Sequence, residues 1–158
     1  MTDLTFTKLG TVRRAASDAV VGKGDGPNMK IVTSYNNPGA LVVTNTIKFA
    51  RIPSNARIHS QSALVVSAND ANTTLSIGIA SVDNNFGAAV PAALLAANTI
   101  AAAARIAFPL AAKCGQRAWE IAALTADPGG MMEVYGVTGG ATLNASSDIV
   151  VELAISID

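Results

Sequence analysis

The closing stretch "DIVVELAISID", Asp148 to Asp158, decides the fold class. Ile149, Val151, Leu153, Ile155 and Ile157 occupy every second position, and Asp148, Glu152, Ser156 and Asp158 fall between them. Successive side chains of a strand point to opposite faces, so a period of two marks a strand with one face buried. A strand of this kind cannot bury its apolar face alone, and its partners must lie upstream.

Working backwards, "MMEVYGVT" (Met131–Thr138) reads as a strand, preceded by the turn "ADPGG" at Ala126–Gly130. "TTLSIGIAS" (Thr73–Ser81) alternates cleanly, with Leu75, Ile77 and Ile79 on one face and Ser76, Gly78 and Ala80 on the other. The second face is unusually small, which lets another layer or chain approach closely. "FARIPSNARIHSQSALVVSA" (Phe49–Ala68) holds two strands broken at Pro53. Leu64 and Val66 are expected in the core. Arg57, His59 and Gln61 form a polar strip on one face of the second strand. From Leu41 the β signal is already present, with Val43, Ile47 and Phe49 expected on one face. Met29–Tyr35 reads as a short strand closed by the turn "NNPG". Residues 1–28 show no sustained period, and "VGKGDGPN" (Val21–Asn28) reads as loop or extended arm.

Two segments point to helix. Pro91–Ala104 is alanine-rich, with Pro91 suited to a first turn, and it is apolar nearly all round. Gly115–Leu124 reads as a short helix or strand around Trp119, and "RIAFPL" (Arg105–Leu110) as a short strand. Many short strands separated by turns predict a mainly β chain. The expected architecture is a jelly-roll-like antiparallel β-sandwich over residues 41–158, with one or two short helical insertions. Residues 1–40 form the expected extended N-terminal arm.

The composition excludes several function classes. Lys plus Arg equals Asp plus Glu, 11 against 11, among 158 residues. A nucleic-acid binder needs a basic excess to release counterions, and a polybasic membrane-surface protein needs the same. Charged residues are 14% and apolar ones 50%, a balance suited to a surface largely covered by other chains. The apolar run Val90–Ala112 is long enough to span a bilayer, but it contains Arg105, Asn98 and two prolines and is mostly alanine. The expectation is therefore no membrane and no nucleic acid.

Chemistry-bearing residues lack companions. His59 is the single histidine, so it has no second histidine for a metal site, and no catalytic motif surrounds it. The reading is a surface or interface histidine. Cys114 is the single cysteine and lacks a Cys–His signature, which reads as a structural thiol. "GKGDG" (Gly22–Gly26) has no Gly-Lys-Ser/Thr and is read as a turn. Asp70, Asp83 and Asp127 sit in turns, and Glu120, Glu133 and Glu152 are dispersed among the elements. No spaced metal-binding or acid–base pair results, so no catalytic residue, metal or cofactor is expected. Aromatic residues are 4%, too few for a stacking platform. Trp119 reads as a core or interface anchor.

Beyond these single residues, an ordered set of segments carries a resemblance. It comprises "ARIPSNARI" (Ala50–Ile58), "LSIGIASVDN" (Leu75–Asn84), "AANTIAAAARIAFPL" (Ala96–Leu110), "AWEIAALTADPGGMMEVYGVT" (Ala118–Thr138) and "ATLNASSDIVVELAIS" (Ala141–Ser156). The chain resembles capsid decoration, cement or head proteins of tailed bacteriophages. The resemblance covers roughly residues 41–158 and brings no catalytic residues with it. It implies a non-enzymatic virion protein on the outer capsid surface, made in the cytoplasm of a bacterial host. The implied partners are the major capsid protein and further copies of itself, as a dimer or trimer. Arg57, His59, Gln61, Ser76, Gly78 and Ala80 are the expected interface positions. A neck, tail or fibre-base protein and a host-surface-binding sandwich module remain alternatives.

Overall fold

The computed structural model describes residues 29–36, 40–69, 71–82, 90–113, 115–145 and 147–157. Among them are nine strands: β1 (Met29–Asn36), β2 (Thr46–Pro53), β3 (Arg57–Ile58), β4 (Ala63–Val66), β5 (Thr74–Ser81), β6 (Val90–Thr99), β7 (Ala104–Ala107), β8 (Met131–Gly139) and β9 (Asp148–Ser156). A 3-10 turn at Ala111–Lys113 and a one-turn helix, α1 (Ala118–Ile121), follow β7. One sheet has the order β1-β9-β4-β7, with β3 also on β9; the other has the order β2-β8-β5-β6. Every pairing is antiparallel. The pairs nest: β1 with β9, β2 with β8, β4 with β7, β5 with β6. A ribbon of antiparallel pairs rolled in this way gives the two facing sheets of a jelly roll.

Period-two sequence builds the core between the sheets. Ile149, Val151, Leu153 and Ile155 of β9 are fully buried, as are Leu75, Ile77 and Ile79 of β5. Leu64 and Val66 of β4 are also buried, as the sequence predicts. Fully burying such a side chain contributes about 1.5–3 kcal/mol. Gly136 of β8 faces this core, and its missing side chain makes room for Phe49. A Cβ there would lie 2.9 Å from Phe49 Cε2 and 3.2 Å from Leu75 Cδ1.

Three sequence expectations need adjustment, and one short strand is found as expected. The helix expected over Pro91–Ala104 is absent; residues 90–99 form β6 and residues 104–107 form β7. Alanine's helix propensity is a weak preference that pairing to β5 overrides. β6 is an edge strand, where a proline without an N–H and irregular register are tolerated. Its register is broken between Ile77↔Leu95 and Ile79↔Val90, so Pro91 to Leu94 stand opposite Gly78 alone. Val43 is exposed rather than aligned with Ile47 and Phe49, because the chain turns there, with Thr44 at φ 75°. Ile157 is half-buried, one residue beyond the end of β9. Finally, the short strand expected within residues 1–40 is β1, paired with β9 along all eight of its residues.

The connection from β7 to β8 is tied to the β2–β3 turn. Ala118 N–H donates to Ala56 O at 2.7 Å, and Trp119 N–H to Ser54 O at 3.2 Å. Ser54 N–H donates to Gly130 O at 2.8 Å. These bonds close one end of the sandwich under α1, whose Ala118 and Ile121 are buried.

Candidate functional site

The polar strip lies on the outer face of the β1-β9-β4-β7 sheet, beside β9. Arg57 pairs with Ser156 in register, and its guanidinium donates to Gly115 O. The His59 ring nitrogen Nε2 and Ser156 Oγ share a hydrogen bond of 2.9 Å, and His59 N–H donates to Ala154 O at 2.8 Å. Arg105 of β7 donates to Gln61 O at 3.0 Å and to Glu152 Oε2 at 3.1 Å. A serine–histidine contact is two of the three members of a hydrolase triad. Catalysis also needs an acid that orients the ring, and oxyanion donors. Among the described residues the His59 side chain bonds only to Ser156. The strip knits β3 and β7 to β9.

The small positions on β5 divide. A Cβ on Gly78 would lie 2.6 Å from Pro91 Cα and collide with Val90 O. The space above Gly78 is therefore filled by the chain's own β6 backbone. Ser76 is half-buried, and its hydroxyl donates to Val137 O at 3.4 Å. Ala80 is half-buried and forms a wall of a groove.

That groove, about 270 Å³, opens on the outer face of the second sheet. Thr46 and Lys48 of β2, Ala80 and Ser81 of β5, Val82, and Glu133 and Tyr135 of β8 line it. Strand register assembles it: Lys48 stands opposite Tyr135, Arg51 opposite Glu133, and Ala80 opposite Glu133 from the other side. A bulge at Phe49 draws Lys48 and Arg51 toward the same carboxylate. Lys48 Nζ lies 3.4 Å from Glu133 Oε2, and Arg51 Nε lies 3.9 Å from Glu133 Oε1. Glu133 is only 7% exposed and Tyr135 8%. The Tyr135 hydroxyl is buried without a hydrogen-bond partner among the described residues, and so is Arg51 Nε. Burial raises the Tyr135 phenol above its ordinary range, so it remains protonated and able to donate.

Sequence reading missed this groove. Met131, Glu133, Tyr135 and Val137 alternate on one face of the expected strand, which was the available signal, but Lys48 and Arg51 arrive only through strand register. Elsewhere, Trp119 is half-buried, with its indole N–H lacking an acceptor among the described residues. Among the described residues no group of three or more His, Cys, Asp or Glu gathers as metal ligands. No described helix is long and apolar enough to cross a membrane. Cys114, Asp70, Asp83 and the Gly22–Gly26 stretch lie outside the described residues.

No protein-family model matches the chain, and no curated protein matches it. Solved structures do. A chain from the capsid of Ralstonia phage GP4 is similar at TM-score 0.66 and 17% identity, over 87% of this chain and 89% of that one. A chain from the cyanophage Pam1 capsid asymmetric unit is similar at TM-score 0.59 and 17% identity, over 87% and 91%. At this identity the likeness establishes the shared fold. It spans nearly the full length of both partners, so the whole jelly roll is held in common.

Proposed function

We propose that the chain is a non-enzymatic structural component of a tailed-phage virion. More narrowly, it is a cement or decoration protein that binds the outer capsid surface and stabilises the shell. The observation that carries this reading is the match of the jelly roll, over 87% of this chain, to chains from two phage capsids. The resemblance of the sequence to capsid decoration proteins points the same way, and so does a neutral, charge-poor composition. The partners are the major capsid protein and further copies of this chain, as a dimer or trimer.

Contacts with neighbours are assigned to the strip of Arg57, His59 and Gln61, and to the outer face of β5 at Ser76 and Ala80. Gly78 serves β6 of this chain. Val32 on edge strand β1, 46% exposed, adds apolar surface beside the strip's sheet. An arm over the residues that precede β1 would add contacts across the shell by pairing at a sheet edge.

Quantitative mass spectrometry of purified particles from the encoding genome tests the proposal. Copy number comparable to that of the major capsid protein is expected. A far smaller number would move the chain to a neck, tail or fibre base, and absence from particles would remove it from the virion.

A further inference from the structure

We propose that the groove over β2, β8 and β5 is a carboxylate-binding site. It receives the side chain of an aspartate or glutamate carried on an extended segment of a partner protein. The inference stands independently of the virion reading, because it rests on the groove's own chemistry.

Three observations carry it. First, Tyr135 lines the groove and is more than nine-tenths buried, and its hydroxyl has no hydrogen-bond partner among the described residues. A buried polar group without a partner is destabilising by about 1–3 kcal/mol, so its persistence calls for an occupant that satisfies it. Kept protonated by burial, this phenol offers a donor, and the complementary group is an acceptor.

Second, cations outnumber anions beside it among the described residues. Lys48 and Arg51 both pair with the carboxylate of Glu133, two positive charges to one negative. Lys48 is 53% exposed at its side chain, so its ammonium can engage a second anion on its open side while Glu133 holds the other. An acceptor that is also an anion therefore satisfies both the hydroxyl and the excess charge.

Third, the shape suits a side chain delivered from outside. A volume of about 270 Å³ holds an acidic side chain and the backbone of its own residue. The groove is open on its outer side, and Ala80 and Ser81 keep one wall low. Sites for free small molecules enclose most of the ligand surface. An open groove with one buried donor instead suits a residue held by further contacts beyond it.

NMR titration of the full chain tests the proposal with three probes: the peptide Ac-Gly-Glu-Gly-NH2, its Gln counterpart, and succinate. The acidic peptide should shift the amide signals of Thr46, Lys48, Ala80 and Ser81, while the Gln peptide leaves them in place. Tyr135→Phe should weaken the acidic peptide about tenfold, the loss of one hydrogen bond to a charged group. Lys48→Met should weaken it as well, and thermal unfolding should show both variants folded. Equal response to the Gln peptide, undiminished binding by both variants, or no response to the acidic peptide would overturn the proposal. Tighter binding of succinate than of the peptide would overturn the partner-segment assignment in favour of a free small carboxylate.

Discussion

On the outer face of the β1-β9-β4-β7 sheet, the polar side chains have found partners within the chain. His59 meets Ser156, Arg105 meets Glu152, and Arg57 meets Gly115 O. The outer face of the β2-β8-β5-β6 sheet is different. There Glu133 is shared by two cations, and the buried Tyr135 hydroxyl has no hydrogen-bond partner among the described residues. The histidine and arginines that draw attention in the sequence thus also tie strands of their own sheet together, whereas the groove lies on a strand with no recognisable motif. A functional site on a β-sandwich is made by register across strands, and rarity of a residue type is a poor guide to it.

The comparison can be broken in order of effect. Both faces depend on the shared core, so Leu153→Ala on the central strand β9 should be the most damaging change, about 3–5 kcal/mol by chemical denaturation. Retained stability would mean that β9 is not the centre of its sheet. Gly78→Val should follow, with about 3 kcal/mol lost, because the added side chain meets the backbone of Val90 and Pro91. If Gly78→Val is instead stable and blocks association with another copy, the space above Gly78 belongs to a neighbour.

The two faces should then respond with opposite sign. His59→Ala removes a satisfied hydrogen bond and should lower stability by about 1 kcal/mol, a shift of about 2–4 °C in Tm, with the fold intact. Tyr135→Phe removes a buried hydroxyl that has no partner among the described residues and should leave Tm unchanged or raise it. A large loss in Tyr135→Phe would show the hydroxyl to be structural and erase the contrast.

The smallest effect concerns Asp127 at the end of the sandwich. A hydrogen bond from the Ser54 side chain, and then one from Gly129 N–H, hold its carboxyl below the usual carboxylate range. A folded-state value below the unfolded one stabilises the fold above the unfolded value, and this contribution is lost as pH falls through the folded one. Asp127→Asn should therefore flatten the acid side of the stability profile slightly. The change stays small because the group is exposed and screened by solvent.

Much of the fold was legible where period two is written in large apolar residues, as in β5, β8 and β9. The jelly roll follows from those strands and their turns. β6 was not legible, because alanine carries a helix preference and little β signal, and only pairing to β5 decides its state. The bulge at Phe49 and the turn at Thr44 shift side chains between faces without leaving a mark in the pattern. The groove needed all of this at once: register set Lys48 opposite Tyr135, and the bulge brought Arg51 toward Glu133. The polar strip was legible as a strip, but its partner Ser156 lies 97 residues away in sequence.

The most direct test is electron cryo-microscopy of intact particles from the encoding genome at side-chain resolution. The account predicts this jelly roll repeated over the outer capsid lattice. Its β9 strand should be buried centrally, and a neighbour's acidic side chain should lie within hydrogen-bond distance of the Tyr135 hydroxyl. A shell without this chain at any lattice position would contradict the account.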